Sequence, residues 1–82
     1  MRMLDTDREE SVRVLQLYLS IREATEFRKQ LDRLLADPEL NEHFHVFAED
    51  MSREISCSIV TPRKLQPPHH YTDLELRILK EK

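Results

Sequence analysis

His43 and His45 stand two residues apart in the run EHFHVFAEDMSREISCSIVT, residues 42–61. On a strand, side chains at i and i+2 share a face with Cα atoms about 6.5 Å apart. Two imidazoles at that spacing can hold a metal ion between them, but a site needs at least a third ligand. His69 and His70 are the remaining histidines, and they lie on a proline-rich stretch whose path the sequence leaves open. Paired histidines on an exposed strand are more often ordinary surface residues, so neither a metal nor any other cofactor is expected. Cys57 is the one cysteine. A reactive thiol needs exposure and a positive neighbour, whereas Ile55 and Ile59 share the Cys57 face and imply burial. Glu42, Glu49 and Asp50 lie near the histidines in sequence, as acid–base partners would. Turn chemistry and the charging of a strand edge explain them equally well. No Ser-His-Asp order is recognisable, and a non-enzymatic protein is expected.

Composition narrows the classes further. The 82 residues suffice for one domain. A chain this short buries only about 60 per cent of the surface that its unfolded form exposes, so the core must be small. The formal charge is −3, with Lys and Arg interspersed among acids. A sequence-independent grip on nucleic acid requires a basic stripe, and none is visible. No apolar run is long enough to span a bilayer, and the charged N-terminus lacks the pattern of a secretory signal. A single cysteine suits a reducing compartment, so a cytoplasmic protein with neither nucleic-acid nor membrane partners is expected. Glycine is absent altogether. Phosphate-cradling loops need it for close backbone approach, which argues against nucleotide chemistry. Any left-handed turn position should then fall to Asn, Asp or Ser.

The elements that would position these residues are legible as periodicities. Residues 1–10 read as a polar, flexible arm. The run SVRVLQLYL, Ser11 to Leu19, alternates imperfectly and predicts a strand, with Leu15, Leu17 and Leu19 on one face and Val14, Gln16 and Tyr18 on the other. Ser20-Ile21-Arg22-Glu23 fits a capping box. Ile21, Ala24, Phe27, Leu31, Leu34 and Leu35 follow at helical spacing, and Asp37-Pro38 ends the helix. Residues 42–61 read as a β-hairpin turning near Glu49, Asp50, Met51 and Ser52. Residues 62–70, PRKLQPPHH, form an extended connector. The tail, Tyr71 to Lys82, alternates like a strand through Leu74, Leu76 and Ile78. A second capping box, Thr72-Asp73-Leu74-Glu75, and good helix formers favour a short helix.

The expected fold is therefore a small two-layer α+β domain of order β-α-β-β-α. Helices pack on one face of a three-stranded sheet. Leu15, Leu17, Leu19, Phe44, Val46, Ile55, Cys57 and Ile59 would meet Ile21, Phe27, Leu31, Leu34 and Leu35 in the core. The other face would present Tyr18, His43, His45, Phe47, Ser56, Ser58 and Val60 as a recognition surface. Aromatic residues are enriched at interface centres, and unpaired strand edges accept another strand through main-chain hydrogen bonds. These features point to a module that binds a protein partner, or itself as a homodimer. An acidic inhibitor or immunity-like protein is one version, since an acidic surface suits a basic target. The alternatives are a metal- or small-ligand-binding domain using His43 and His45, and a minimal enzyme using the same histidines.

Overall fold

The computed structural model describes residues 1–81; Lys82, the last residue of the expected C-terminal helix, lies outside them. The elements in chain order are β1 (Leu4–Asp5), β2 (Glu10–Ser11), α1 (Ile21–Ala36), β3 (Phe44–Phe47), β4 (Glu54–Cys57) and α2 (Asp73–Leu79). The protein is a small α+β chain with two helices and two two-stranded antiparallel sheets, β1–β2 and β3–β4. Its contacts cluster into two units, Tyr18–Pro67 and Met1–Leu17 with Pro68–Lys82. Among the described residues no helix is long and apolar enough to cross a membrane.

In the unit Tyr18–Pro67, α1 begins where the capping box places it. The Ser20 Oγ accepts from the Glu23 N–H at 3.1 Å, and the Glu23 Oε1 accepts from the Ser20 N–H at 2.8 Å. Two otherwise orphaned amides are thus satisfied at the helix start. The helix stops at Asp37, before Pro38, and the Asn41 Nδ2 donates to the Arg33 carbonyl at 2.8 Å. β3 and β4 pair with Phe44 opposite Cys57, His45 opposite Ser56, Val46 opposite Ile55 and Phe47 opposite Glu54. Leu34, Phe44 and Val46 form the buried core, with Phe27, Ile55, Cys57 and Ile59 packed against it. Phe27 meets Phe44 edge to face, ring centroids 5.4 Å apart, the arrangement that ring quadrupoles favour.

The turns solve the problem of a chain without glycine in an unexpected way. Met51 (φ 63°) and Glu9 (φ 56°) hold the left-handed positions, not Asn, Asp or Ser. Aspartate still acts, one step removed, by bonding the turn backbone. The Asp50 Oδ1 accepts from the Ser52 N–H at 3.0 Å and from its hydroxyl at 2.6 Å. The Ala48 carbonyl accepts from the Met51 N–H at 2.8 Å and closes the turn. In the other unit, the Asp5 Oδ1 accepts from the Asp7 and Arg8 N–H groups at 3.0 and 3.1 Å, and Glu9 completes the β1–β2 loop. Side-chain bonds to the turn backbone help to hold a non-glycine residue at positive φ, against the penalty its Cβ brings. That unit also contains α2, started by its own capping box between Thr72 and Glu75 at 2.9 and 3.1 Å, with Ile78 buried.

The expected three-stranded sheet does not form. Of the run Ser11 to Leu19 only Ser11 is in a strand, paired with Leu4, and residues 12–20 have no regular structure. The start of the run is claimed locally, since the Val12 N–H donates to the Met3 carbonyl at 2.9 Å. The rest finds no ladder partner, and strand propensity without a partner does not make a strand. The expected core shrinks with the sheet. Leu15, Leu17, Leu19, Ile21, Leu31 and Leu35 are all exposed. A two-stranded sheet covers only a narrow strip of α1, and Phe27 and Leu34 fill it.

Two substitutions test this account. Leu34 is 0 % exposed, and Leu34→Ala should destabilise by about 2–5 kcal/mol through lost burial and the cavity left behind. In so small a chain, chemical denaturation should find the variant largely unfolded. Met51→Gly should raise the free energy of unfolding by up to about 1 kcal/mol, and the denaturation midpoint with it, because glycine takes φ > 0 without the Cβ penalty. An unchanged or lower midpoint would refute strain at Met51.

Candidate functional site

The alternation of β3 decides which side chains are free to act. Phe44 and Val46 are buried and His43, His45 and Phe47 are exposed, because successive strand side chains point to opposite faces. The three outward rings form one ladder. His43 and His45 meet edge to face at 4.9 Å between centroids, and His45 stacks on Phe47 at 6.1 Å with 21° between planes. Ser56, directly opposite His45, faces outward too. Ser58 and Val60 lie beyond the end of β4 but keep the same parity and are exposed. The expected strand therefore ends four residues before Thr61, while its facing persists.

Tyr18 is the one expected face residue that the structure sets elsewhere. It is 86 % exposed on the irregular segment before α1 and belongs to neither sheet. The strand that was to carry it has no neighbour to pair with. Conversely, Glu54 belongs to the face and is not among the residues expected there. Its Oε2 lies 3.1 Å from the His45 Nδ1. The signal was present in its parity, which is that of Ser56 and Ser58.

α1 holds this face in place from behind, running antiparallel to β3. At the helix start the Glu23 Oε2 accepts from the Glu49 N–H at 2.9 Å, so one carboxylate ties the helix cap to the hairpin turn. These amides hold its pKa below the ordinary 4.5, the Ser20 N–H more than the Glu49 N–H. The neighbouring Arg22–Glu49 pair at 3.5 Å is well exposed and adds little. At the other end of α1, the Arg33 guanidinium donates to the His43 carbonyl at 3.1 Å. The Lys64 ammonium donates to the Asn41 and Ile59 carbonyls at 2.8 and 2.9 Å, joining the segments before β3 and after β4.

The chemistry available to this face follows from these contacts. A carboxylate only accepts, so the His45 Nδ1 carries a proton towards Glu54, an arrangement that in a neutral ring leaves the lone pair at Nε2. That is the orientation a metal-bound or basic histidine requires. Among the described residues, however, no group of three or more His, Cys, Asp or Glu is arranged to hold a metal ion. Ser56, the register partner of His45, makes no hydrogen bond to the ring among the described residues. Burial pushes the Cys57 thiol up, away from the thiolate form. His69 and His70 belong to the other unit, where His69 stacks on Tyr71 at 6.4 Å. Burial pushes the Tyr71 hydroxyl up, with a smaller push from Glu75.

No family model, no curated protein and no solved structure matches the chain.

The Glu23 bridge predicts an acid sensitivity with a definite sign. Its pKa is depressed on folding, so its stabilisation is complete above 4.5 and is lost as the pH falls through the lower folded value. The melting temperature should fall on acidification below pH 4.5. In Glu23→Gln, whose amide oxygen can replace one carboxylate acceptor but not both, that fall should be shallower. Equal slopes in the two proteins would show that the bridge does not form.

Proposed function

We propose that the protein is a non-enzymatic interaction module that takes a protein segment on the outer face and edge of the β3–β4 hairpin. The observation that carries this reading is the ladder of His43, His45 and Phe47, whose side chains are exposed on the sheet face turned away from the core of their unit. Phe47 keeps 46 % of its surface exposed. Ring systems aligned along a strand suit the side chains of an added strand, which recur at the same spacing.

A two-stranded sheet also has an outer edge on each strand. The backbone amides and carbonyls there are ready-made partners for an extended peptide, which supplies affinity through main-chain bonds while the ring face selects its side chains. The acidic balance of the chain, −3 overall, favours a partner segment of neutral or basic character.

Phe47→Glu tests the reading. The side chain is outside the core, so the melting temperature should stay within a few degrees of wild type. Quantitative affinity capture from the native cell extract should show at least one protein held by the wild type and depleted about tenfold or more by the variant, as expected where an aromatic anchor is lost. Identical capture by the two proteins would remove the sheet face as the binding surface. A collapse in melting temperature would show that Phe47 belongs to the core.

A further inference from the structure

α1 carries more apolar surface than the hairpin covers. Its covered strip is Glu23, Phe27, Gln30 and Leu34, spaced i, i+4, i+7, i+11. A second strip of the same spacing, Ala24, Arg28, Leu31 and Leu35, lies beside it with Ile21 at its edge, and every member is exposed. Ile21 is 88 % and Leu35 is 59 % exposed. A solvent-facing helix side normally carries polar residues.

We propose that this strip is the contact surface of a homodimer in which α1 of one chain packs antiparallel on α1 of a second copy. Self-complementarity favours a second copy over a foreign partner. Arg28 and Asp32 sit one turn apart at the strip, and among the described residues neither side chain has a hydrogen bond or ion pair. A twofold axis near the strip's centre reverses the order of the facing helix. Each Arg28 then meets the other copy's Asp32, Leu35 meets the other copy's Ala24, and Leu31 meets its own counterpart near the axis. An isologous contact requires such a patch, complementary to itself. The small Ala24 admits the close approach of two helices packed ridge into groove.

This surface is distinct from the ring face of the hairpin, so the two proposals fail separately. Light scattering coupled to gel filtration on the full chain should give the dimer mass at micromolar concentration. Leu35→Glu should give the monomer mass with an unchanged far-ultraviolet spectrum, and Phe47→Glu should remain dimeric. Charge exchange supplies the control for folding. Arg28→Asp and Asp32→Arg should each weaken the dimer about tenfold or more when alone, because like charges then face each other. Mixed, the two variants should recover the dimer, since every facing pair is again opposite. A wild-type protein that is monomeric up to 100-fold higher concentration overturns the proposal, whether the strip is bare or covered by the chain's own apolar residues 14–19. A dimer indifferent to Leu35→Glu and to the charge exchange overturns it as well, and moves the contact to another face.

Discussion

The seating of Phe44 and Val46 against Leu34 and Phe27 is the constraint from which the rest of the larger unit follows. A strand offers only two faces, and a one-residue slip would exchange them. With Phe44 and Val46 inward, His43, His45 and Phe47 have no other place than outside. The same seating brings Ile55, Cys57 and Ile59 inward from β4 and turns Glu54, Ser56 and Ser58 outward. The ring ladder is thus a consequence of core packing as much as a feature in its own right.

That seating is secured at both ends of α1 by polar contacts that cost little core volume. Glu23 serves the helix cap and the hairpin turn with one carboxylate. Arg33 and Asn41 serve the other end, between the helix and the start of β3. Hydrogen bonds to charged groups are stronger than neutral ones, and a chain with so few buried side chains has more need of them. The turn between the strands carries its own local cost, a methionine in the left-handed region, offset by an aspartate that bonds the turn backbone. Without glycine, the chain meets each turn by hydrogen bonding and not by conformational freedom.

A narrow sheet also explains what is left over. Two strands cover a strip of the helix one side chain wide, so the remaining apolar residues of α1 face solvent. The interaction readings proposed for this protein arise from that shortage of cover: a sheet with two open edges on one side, and a helix with a spare apolar strip on the other.

Local chemistry was legible in the residues themselves. Both capping boxes, the Asp37-Pro38 stop and the hairpin with its inward and outward faces follow from hydrogen-bonding geometry and period within short windows, where a residue's neighbours in sequence are its neighbours in space. The strand expected over Ser11 to Leu19 failed for the opposite reason. A strand exists only by pairing, and its partner must come from a distant part of the chain that the alternation of Leu15, Leu17 and Leu19 does not specify. Tyr18 left the candidate face with it. The tertiary structure alone decided that Leu34, and not Leu31 or Leu35, would be sealed, because the width of the sheet sets how much of an amphipathic helix is covered. It alone paired Glu54 with His45, a diagonal contact that depends on the register of two strands. Sequence determined what each segment can form; the number of available partners determined which of those forms survived.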